Sequence, residues 1–279
     1  MEHKPAMIFL GLLLLTIITA CAPPENIPPP QNSIPNVAPT TTASITGPVH
    51  TPTEAAIISS GGMPVAGPGA CANAYYPVRE GSMWAYQSTG SPAGVYSFTD
   101  TITPVRNDGF TLTSKFDNLT RTQEWSCGPN GLVALQLGGG ALTSQNLKLE
   151  IQAPNISGVS IPVEIKAGDQ WDYVLGFTGK MDLAGSSGAA EGSDKSHFNA
   201  LGMESVTVPA GTFTAMKIQV DTTLDINVTV QGVSVPVTFS SSYIYWYVQG
   251  AGWVKASGTG NIGGDGFSET IELQWYNIP

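Results

Sequence analysis

Apolar and polar residues alternate with a period of two along much of the chain. Between Met216 and Val230 the apolar side chains occupy the even-numbered positions, with Thr222 as the one gap, and most odd-numbered positions are polar. Residues 110–116 and 271–275 repeat this pattern. A strand with this period has one buried face and one solvent-exposed face, which is typical of antiparallel sheet. No segment keeps a helical period over several turns, so the pattern predicts an all-β fold.

Glycine, proline and asparagine mark the turns between these strands. Pro209 and Gly211 predict a tight reversal, and Asn107-Asp108-Gly109 predicts a hairpin. The polar, glycine-rich residues 184–194 are predicted to form a mobile loop. The run from 216 to 230 is much longer than the usual strand of about 5–6 residues, and long strands fit a strongly twisted sheet. We therefore expect a single antiparallel, long-stranded, strongly curled sheet or half-open barrel.

Two pairs of segments in the chain resemble each other. Gly-x-x-Trp-x-Tyr follows a Pro-Val pair at residues 81–86 and again at residues 168–173. Residues 158–163 and 232–237 share Gly-Val-Ser, an aliphatic residue and Pro-Val. One interpretation is a domain built from two related β-halves. The other is a chance likeness between glycine turns that precede valine-rich strands, and both remain open.

The first apolar run of the chain predicts an export signal. It extends from Ala6 to Ile18 and is shorter than the roughly 20 residues that a membrane-spanning helix needs. Ile18-Thr19-Ala20-Cys21 follows, which resembles the lipobox of bacterial lipoproteins. The resemblance implies that residues 1–20 are a lipoprotein signal peptide and that the Cys21 thiol carries the lipid, with acyl chains such as palmitate. An ordinary signal peptide with a cysteine after its cleavage site is the alternative.

Residues 21–70 have the composition of a disordered linker. The segment holds about half of the 21 prolines, a run of three threonines at 40–42, and no lysine, arginine or aromatic residue. Such a chain buries too little apolar surface to offset the entropy of ordering it. We expect a Pro/Thr-rich spacer that holds the following domain away from a membrane.

Residues 71–279 form the exported β-domain of this prediction. The chain is 42% hydrophobic and 11% charged, whereas soluble proteins average about 25% charged residues, and its net charge is −10. No cluster of basic residues is present, so nucleic acid is not an expected partner.

Several motifs of this domain resemble the TapB-like domain-of-unknown-function proteins. The entry motif is residues 75–86 (YYPVREGSMWAY), the central turn is residues 206–213 (VTVPAGTF), and the closing aromatic strand pair is Tyr245-Trp246-Tyr247 with residues 250–255 (GAGWVK). The resemblance covers most of residues 75–275. It implies an exported, often lipid-anchored β-domain and supplies no catalytic residue.

Two cysteines remain once Cys21 is assigned to the anchor. An even number of thiols outside the cytoplasm favours a disulfide, here between Cys71 and Cys127. Two separate buried thiols are the alternative. With these cysteines paired, a His/Cys metal site lacks ligands, so we expect no metal and no cofactor.

No catalytic constellation stands out in the domain. His197 is its one histidine, and no Gly-x-Ser-x-Gly motif accompanies it. Asp169 and Asp172 flank Trp171 and would suit a hydrolase with paired carboxylates. However, a chain with 21 acidic residues contains many such pairs by chance. Residues 263–266 (GGDG) fit a hairpin turn better than a calcium loop. We therefore expect no enzymatic activity.

The candidate ligand surface is aromatic. Tyr243, Tyr245 and Tyr247 share one face of a predicted strand, and Trp253 follows a glycine turn. These rings would form an exposed surface for a hydrophobic or carbohydrate ligand, or they would be buried within the curled sheet.

The function expected from the sequence is a non-catalytic binding or scaffolding module of the bacterial cell envelope. Its lipid would anchor it to the outer face of the cell membrane or to the outer membrane. A carrier or sensor of acyl chains is the first alternative, and the hydrolase is the second. The oligomeric state does not follow from the sequence.

Overall fold

One antiparallel sheet makes up the fold of this chain. A computed structural model describes residues 69–117, 119–137, 147–183, 186–262 and 264–279. The signal peptide, Cys21 and all but the last two residues of the predicted linker lie outside the described residues. Within the described part of the chain, no helix is long and apolar enough to cross a membrane.

The described residues contain a short 3-10 turn at Gly69–Cys71 and thirteen strands. The strands are β1 (Met83–Thr89), β2 (Tyr96–Val105), β3 (Gly109–Phe116), β4 (Thr120–Gly128), β5 (Gly131–Ala134), β6 (Leu147–Gly158), β7 (Ile161–Pro162), β8 (Gln170–Leu183), β9 (Ser186–Val208), β10 (Gly211–Val230), β11 (Val233–Val248), β12 (Gly252–Ile262) and β13 (Asp265–Asn277).

Most neighbouring strands in the sheet are also neighbours in the chain. The order is β6-β8-β9-β10-β11-β12-β13-β1-β2-β3-β4-β5-β7. Strands β8 to β13 form one meander, and β13 then pairs with β1, which begins a second meander. The sheet is antiparallel and not closed, which confirms the predicted curled, long-stranded sheet. The relation between the two β-halves stays a prediction.

Side chains join the two edges of the sheet where no strand ladder does. Gly158 ends β6 at one edge, and Ile161 begins β7 at the other edge. The Tyr173 hydroxyl on β8 donates to the Ala134 carbonyl oxygen on β5 at 2.6 Å. Between the edges, the Ser160 hydroxyl accepts a hydrogen bond from the Ala134 N–H at 3.0 Å. These bonds hold the edges close together without closing the sheet.

The predicted loop at residues 184–194 is wrong for all the residues that the structure describes there. Residues 186–194 belong to β9, which is 23 residues long and pairs with both β8 and β10. Glycines conceal this strand in the sequence. A Cβ at Gly192 would lie 2.7 Å from the Phe177 ring, so Phe177 covers the bare backbone in place of a side chain. The segment therefore alternates in packing although it does not alternate in hydropathy.

Aromatic rings fill one end of the inner face of the sheet. The Tyr76 ring stacks on Trp84, Phe110 and Trp125 with centroids 5.7, 5.9 and 5.8 Å away. The Asn73 side chain fixes the approach of this segment, because its oxygen accepts the N–H groups of Tyr75 and Tyr76. The buried segment thereby covers the core formed by β1, β3 and β4.

The two cysteines form a disulfide next to this ring cluster. Cys71 is fully buried and is bonded to Cys127 on β4, 56 residues later in the chain. In the chain-entropy description, a loop of this length stabilises the fold by about 4 kcal/mol. The disulfide holds the start of the domain against the first meander.

Candidate functional site

The tyrosines predicted as a ligand surface lie on the inner face of the sheet. Tyr243, Tyr245 and Tyr247 are half-buried there, in the order that alternation predicts. Trp253 stacks on Tyr86 with ring centroids 3.9 Å apart and planes inclined by 5°. The Tyr86 hydroxyl also donates to the Trp253 carbonyl oxygen at 2.9 Å. The structure thus brings these rings together as packing partners.

The hydroxyl of one of these tyrosines, Tyr243, bonds to a buried carboxylate within the protein. Glu269 on β13 is buried and accepts hydrogen bonds from the hydroxyls of Ser88, Tyr96 and Tyr243 at 2.6, 2.7 and 2.9 Å. Burial, together with the nearby carboxylate, raises the pKa of both tyrosines, and burial raises the pKa of Tyr245 to about 12. These phenols therefore stay protonated at neutral pH. Three donors around one carboxylate compensate the charge that burial would otherwise penalise.

Two further carboxylates point to the inner face. Burial raises the pKa of Asp100 to about 6, and the Arg121 guanidinium beside it lowers that pKa in turn. Burial raises the pKa of Asp194 to about 6, and the Ser196 hydroxyl donates to this carboxylate at 3.3 Å. Ser196 and Thr222 are also hydrogen-bonded to each other at 2.9 Å. The inner face is therefore a packed core with an internal polar network.

The outer face carries a groove of about 770 Å³ that crosses β8 to β12. We call it the outer groove. Its side chains occupy two rows, each of which follows the pairing register from strand to strand. The first row is Val174, Lys195, Thr223, Ser240 and Asn261, and the second row is Asp172, His197, Asp221, Ser242 and Thr259.

Hydroxyl groups dominate the β10–β12 end of the outer groove. Among the described residues, the side chains of Thr223, Ser240, Ser242 and Thr259 have no hydrogen-bond partner, in contrast to the Ser196 and Thr222 hydroxyls of the inner face. Neighbouring strands lie about 4.7–4.9 Å apart, and residues two apart on a strand are separated by about 6.6–6.8 Å. The sheet therefore presents a regular array of free hydroxyls on a rigid support.

Charged side chains dominate the β8–β10 end. His197 Nδ1 lies 2.8 Å from Asp172 Oδ1, and both side chains are exposed. Lys195 and Asp221, like Asp172, carry formal charges in the two rows. Asp221 accepts a hydrogen bond from the Gln219 side chain at 2.9 Å. With two aspartates against one lysine, this end of the outer groove disfavours anionic ligands.

The same outer face is closed by paired charges farther along the strands. Lys217 and Lys255 lie over the Trp246 ring at 5.8 and 5.9 Å from its centroid. Each lysine also pairs with a glutamate, Lys217 with Glu204 at 3.0 Å and Lys255 with Glu272 at 2.7 Å. Two cations and two acids neutralise one another here, in contrast to the excess of carboxylates over ammonium groups in the outer groove.

The candidate catalytic residues His197 and Asp169 each have a hydrogen-bond partner within the protein. His197 is paired with Asp172, and in the described part of the chain no serine or threonine hydroxyl bonds to it. Asp169 accepts the Lys166 N–H at 2.7 Å in a turn and does not line the outer groove. No group of three or more His, Cys, Asp or Glu side chains that could hold a metal ion occurs among the described residues.

The sequence analysis did not place His197 in the outer groove, because it did not predict the first part of β9 as a strand. Lys195 and His197 point to the outer face because Asp194 and Ser196 point inward. Extending the period of two through residues 186–200 would have placed both of them on the face of Asp221 and Thr223. The signal was present, but the glycines and alanines before Asp194 weakened it.

Comparisons with known proteins give weak likenesses. No protein-family model matches the chain, and no curated protein matches it. The resemblance to the lipobox and to the TapB-like domain therefore stays a prediction.

Three solved structures are similar in part. A candidate lipoprotein from Parabacteroides distasonis is 15% identical, with a TM-score of 0.42 over 74% of this chain and 99% of that one. A candidate exported protein with a YmcC-like fold from Bacteroides fragilis is 12% identical, with a TM-score of 0.44 over 74% and 100%. The hypothetical lipoprotein YmcC from Escherichia coli is 12% identical, with a TM-score of 0.31 over 71% and 85%. Likenesses of this strength carry no argument about the site.

Proposed function

We propose that the chain is an exported bacterial lipoprotein whose β-domain binds carbohydrate of the cell envelope in the outer groove, without catalysing a reaction. The observation that carries the proposal is the array of unpartnered hydroxyls on β10, β11 and β12, at one end of the groove. Such groups donate and accept hydrogen bonds, which matches the hydroxyls of a sugar. A volume of about 770 Å³ is also in the range of ligand sites, roughly 300–1,000 Å³.

The location belongs to the same proposal. The Ile18–Cys21 motif would direct the attachment of the lipid to Cys21. Residues 21–70 would act as the spacer between membrane and domain. A binding module on such a tether would search the layer of envelope polymers near the membrane.

The chemistry of the outer groove favours a carbohydrate over an acyl chain. An acyl-chain site would be lined by residues such as Leu, Ile and Trp, but among the side chains that line the groove only Val174 is a large apolar one. The apolar side chains lie on the opposite face, where they pack against each other and against stacked rings. The side chains of the outer groove therefore suit a carbohydrate better than an acyl chain.

A carboxylate pair keeps the hydrolase as a second candidate. Asp172 and Asp221 occupy the second row on either side of His197, so two strand spacings, about 9.6 Å, separate their backbones. Glycosidases use two carboxyl groups that flank the bond they cleave, and these two aspartates lie on one face of the sheet. Because both aspartates are exposed and Asp172 is held by His197, we propose binding without turnover. Release of reducing sugar from a bound glycan would favour the hydrolase instead.

Co-sedimentation tests the binding. The full-length lipoprotein in detergent is mixed with insoluble peptidoglycan sacculi or with chitin, and the bound fraction is measured. The test variant Thr223→Val/Thr259→Val removes two groove hydroxyls while it keeps the branched shape that strands favour. Each lost hydrogen bond is worth about 1 kcal/mol, so affinity should fall roughly tenfold or more.

The matched control is Thr214→Val/Thr229→Val, which changes two exposed threonines of β10 outside the groove. It should bind as the unchanged chain does. A chain that binds neither polymer, or that loses as much affinity in the control as in the groove variant, would overturn the proposal.

A further inference from the structure

We infer that the outer groove takes an extended, unbranched chain of neutral sugars that lies across the strands, with one hexopyranose ring over each of β8 to β12. The inference rests on the proposed function and specifies the form of its ligand. It follows from the register of the two rows, from the distance between them and from the distribution of charge.

The side chains of each row repeat at the spacing of neighbouring strands. In the second row, Asp172 pairs with His197, His197 with Asp221, Asp221 with Ser242, and Ser242 with Thr259. Five strands in register offer one side chain per strand at about 4.8 Å intervals, so a row spans about 19 Å. A 1,4-linked hexopyranose advances an extended glycan by slightly more than one strand spacing. Successive rings of such a polymer would therefore meet successive strands.

The distance between the two rows matches the width of a sugar ring. The first row repeats the same register two residues along each strand, from Val174 through Thr223 and Ser240 to Asn261. The rows are about 6.6–6.8 Å apart, which is comparable with the width of a pyranose ring with its hydroxyls. A chain that runs between the rows would receive polar contacts on both of its edges from β9 to β12, and on β8 from Asp172 alone.

The formal charges of the outer groove are confined to its β8–β10 end. Ser240, Ser242, Thr259 and Asn261 make the β11–β12 end uncharged, whereas Asp172, Lys195 and Asp221 carry formal charges at the other end. The two carboxylates exceed the one ammonium group. A uronic-acid polymer would meet repulsion there, so a neutral or N-acetylated polymer is favoured.

The openness of the site also favours a polymer over a single sugar. The groove side chains are largely exposed, and none of them encloses a ligand from above. One ring on such a surface would make few contacts. Affinity must therefore accumulate from ring to ring, as it does for linked binding units.

A length series of N-acetylglucosamine oligomers tests the inference. Binding of the full-length lipoprotein in detergent is measured by calorimetry, from the disaccharide to the heptasaccharide. The association constant should rise several-fold with each added sugar up to the pentasaccharide and then level off. The Thr223→Val/Thr259→Val variant should weaken the pentasaccharide about tenfold, and Thr214→Val/Thr229→Val should leave it unchanged.

Each other outcome has a definite meaning. Equal affinity for the disaccharide and the pentasaccharide overturns the inference and leaves the proposed function standing. The same holds if the sacculi bind but neither chitin nor any oligomer does, because the ligand is then not a plain linear chain of N-acetylglucosamine. If neither polymer nor oligomer binds, the proposed function fails together with the inference.

Discussion

Single residues on the inner face explain an irregularity of the sequence. Thr222 interrupts the apolar series of β10 because it faces Ser196, and the two hydroxyls are hydrogen-bonded to each other at 2.9 Å. Ser196 in turn donates to the buried Asp194. The gap was visible in the sequence, but its partner was not, because the pairing of β9 with β10 joins residues far apart in the chain.

Asp194 makes a pH-dependent contribution to stability. Burial raises its folded-state pKa to about 6 from an ordinary value of 3.8, so the folded chain binds this proton more tightly than the unfolded chain does. The free energy of unfolding should therefore fall as the pH rises from about 4 to about 6. Asp194→Asn removes the buried charge and should stabilise the fold at pH 7 by up to about 3 kcal/mol, with no gain below about pH 4.

Urea denaturation at a series of pH values measures this effect. Asp100 contributes a slope of the same sign, because its pKa is also raised to about 6, so the difference between variant and unchanged chain isolates Asp194. The exposed Asp265→Asn is the matched control. An Asp194→Asn variant that is less stable than the unchanged chain at pH 7 would contradict the assignment of a costly buried charge.

Among the strands, proline and glycine have positions with structural meaning. Pro236 lies on β11 before Phe239, where the pairing with β12 begins, so this part of β11 pairs with β10 alone. Pro162 lies on β7 at the edge of the sheet. Proline removes a ladder donor and is found at such edges, at strand starts or at bulges, as Pro104 is on β2. Both positions were readable from the sequence as edge signals, whereas the order of the strands was not.

Gly258 is a requirement of the β11–β12 pair. A Cβ at this position would meet the Ser242 carbonyl oxygen and would lie 2.7 Å from Tyr243 Cγ, since the tyrosine ring covers the glycine. Gly258→Ala should therefore destabilise the fold by about 1–3 kcal/mol, the usual cost of overpacking. Gly128→Ala is the control, because the nearest atom to its Cβ is 3.9 Å away. Thermal unfolding of both variants measures the difference, and equal melting temperatures would contradict this packing.

For the whole molecule, the sequence predicts the sheet, and the structure adds the outer groove. Alternation predicts the curled antiparallel sheet because each strand is a local pattern. The outer groove could not be predicted in this way, since it requires five strands in one register and a strand that glycines conceal. The lipid anchor at Cys21, in contrast, is predicted from the sequence motif alone, because Cys21 lies outside the described residues.

The anchor makes a prediction about location. If Cys21 carries the lipid, Cys21→Ser should remove the incorporation of labelled fatty acid and shift the protein from the membrane fraction to the soluble fraction of expressing cells. Ala22→Ser, one residue later, keeps the thiol and should behave as the unchanged chain does. Label and membrane association that persist in Cys21→Ser would show that the chain is held by other means.

Methyl NMR of the full-length chain with a bound glycan shows which face of the sheet the glycan contacts, because inner-face and outer-face methyl groups alternate along β10. Addition of the N-acetylglucosamine pentasaccharide should shift the methyl signals of Thr223 and Thr259 in the outer groove. The signals of Ile218 and Leu224, which are buried on the inner face, should stay in place. Shifts confined to the inner-face methyls, or no shifts at a saturating concentration, would contradict a carbohydrate site in the outer groove.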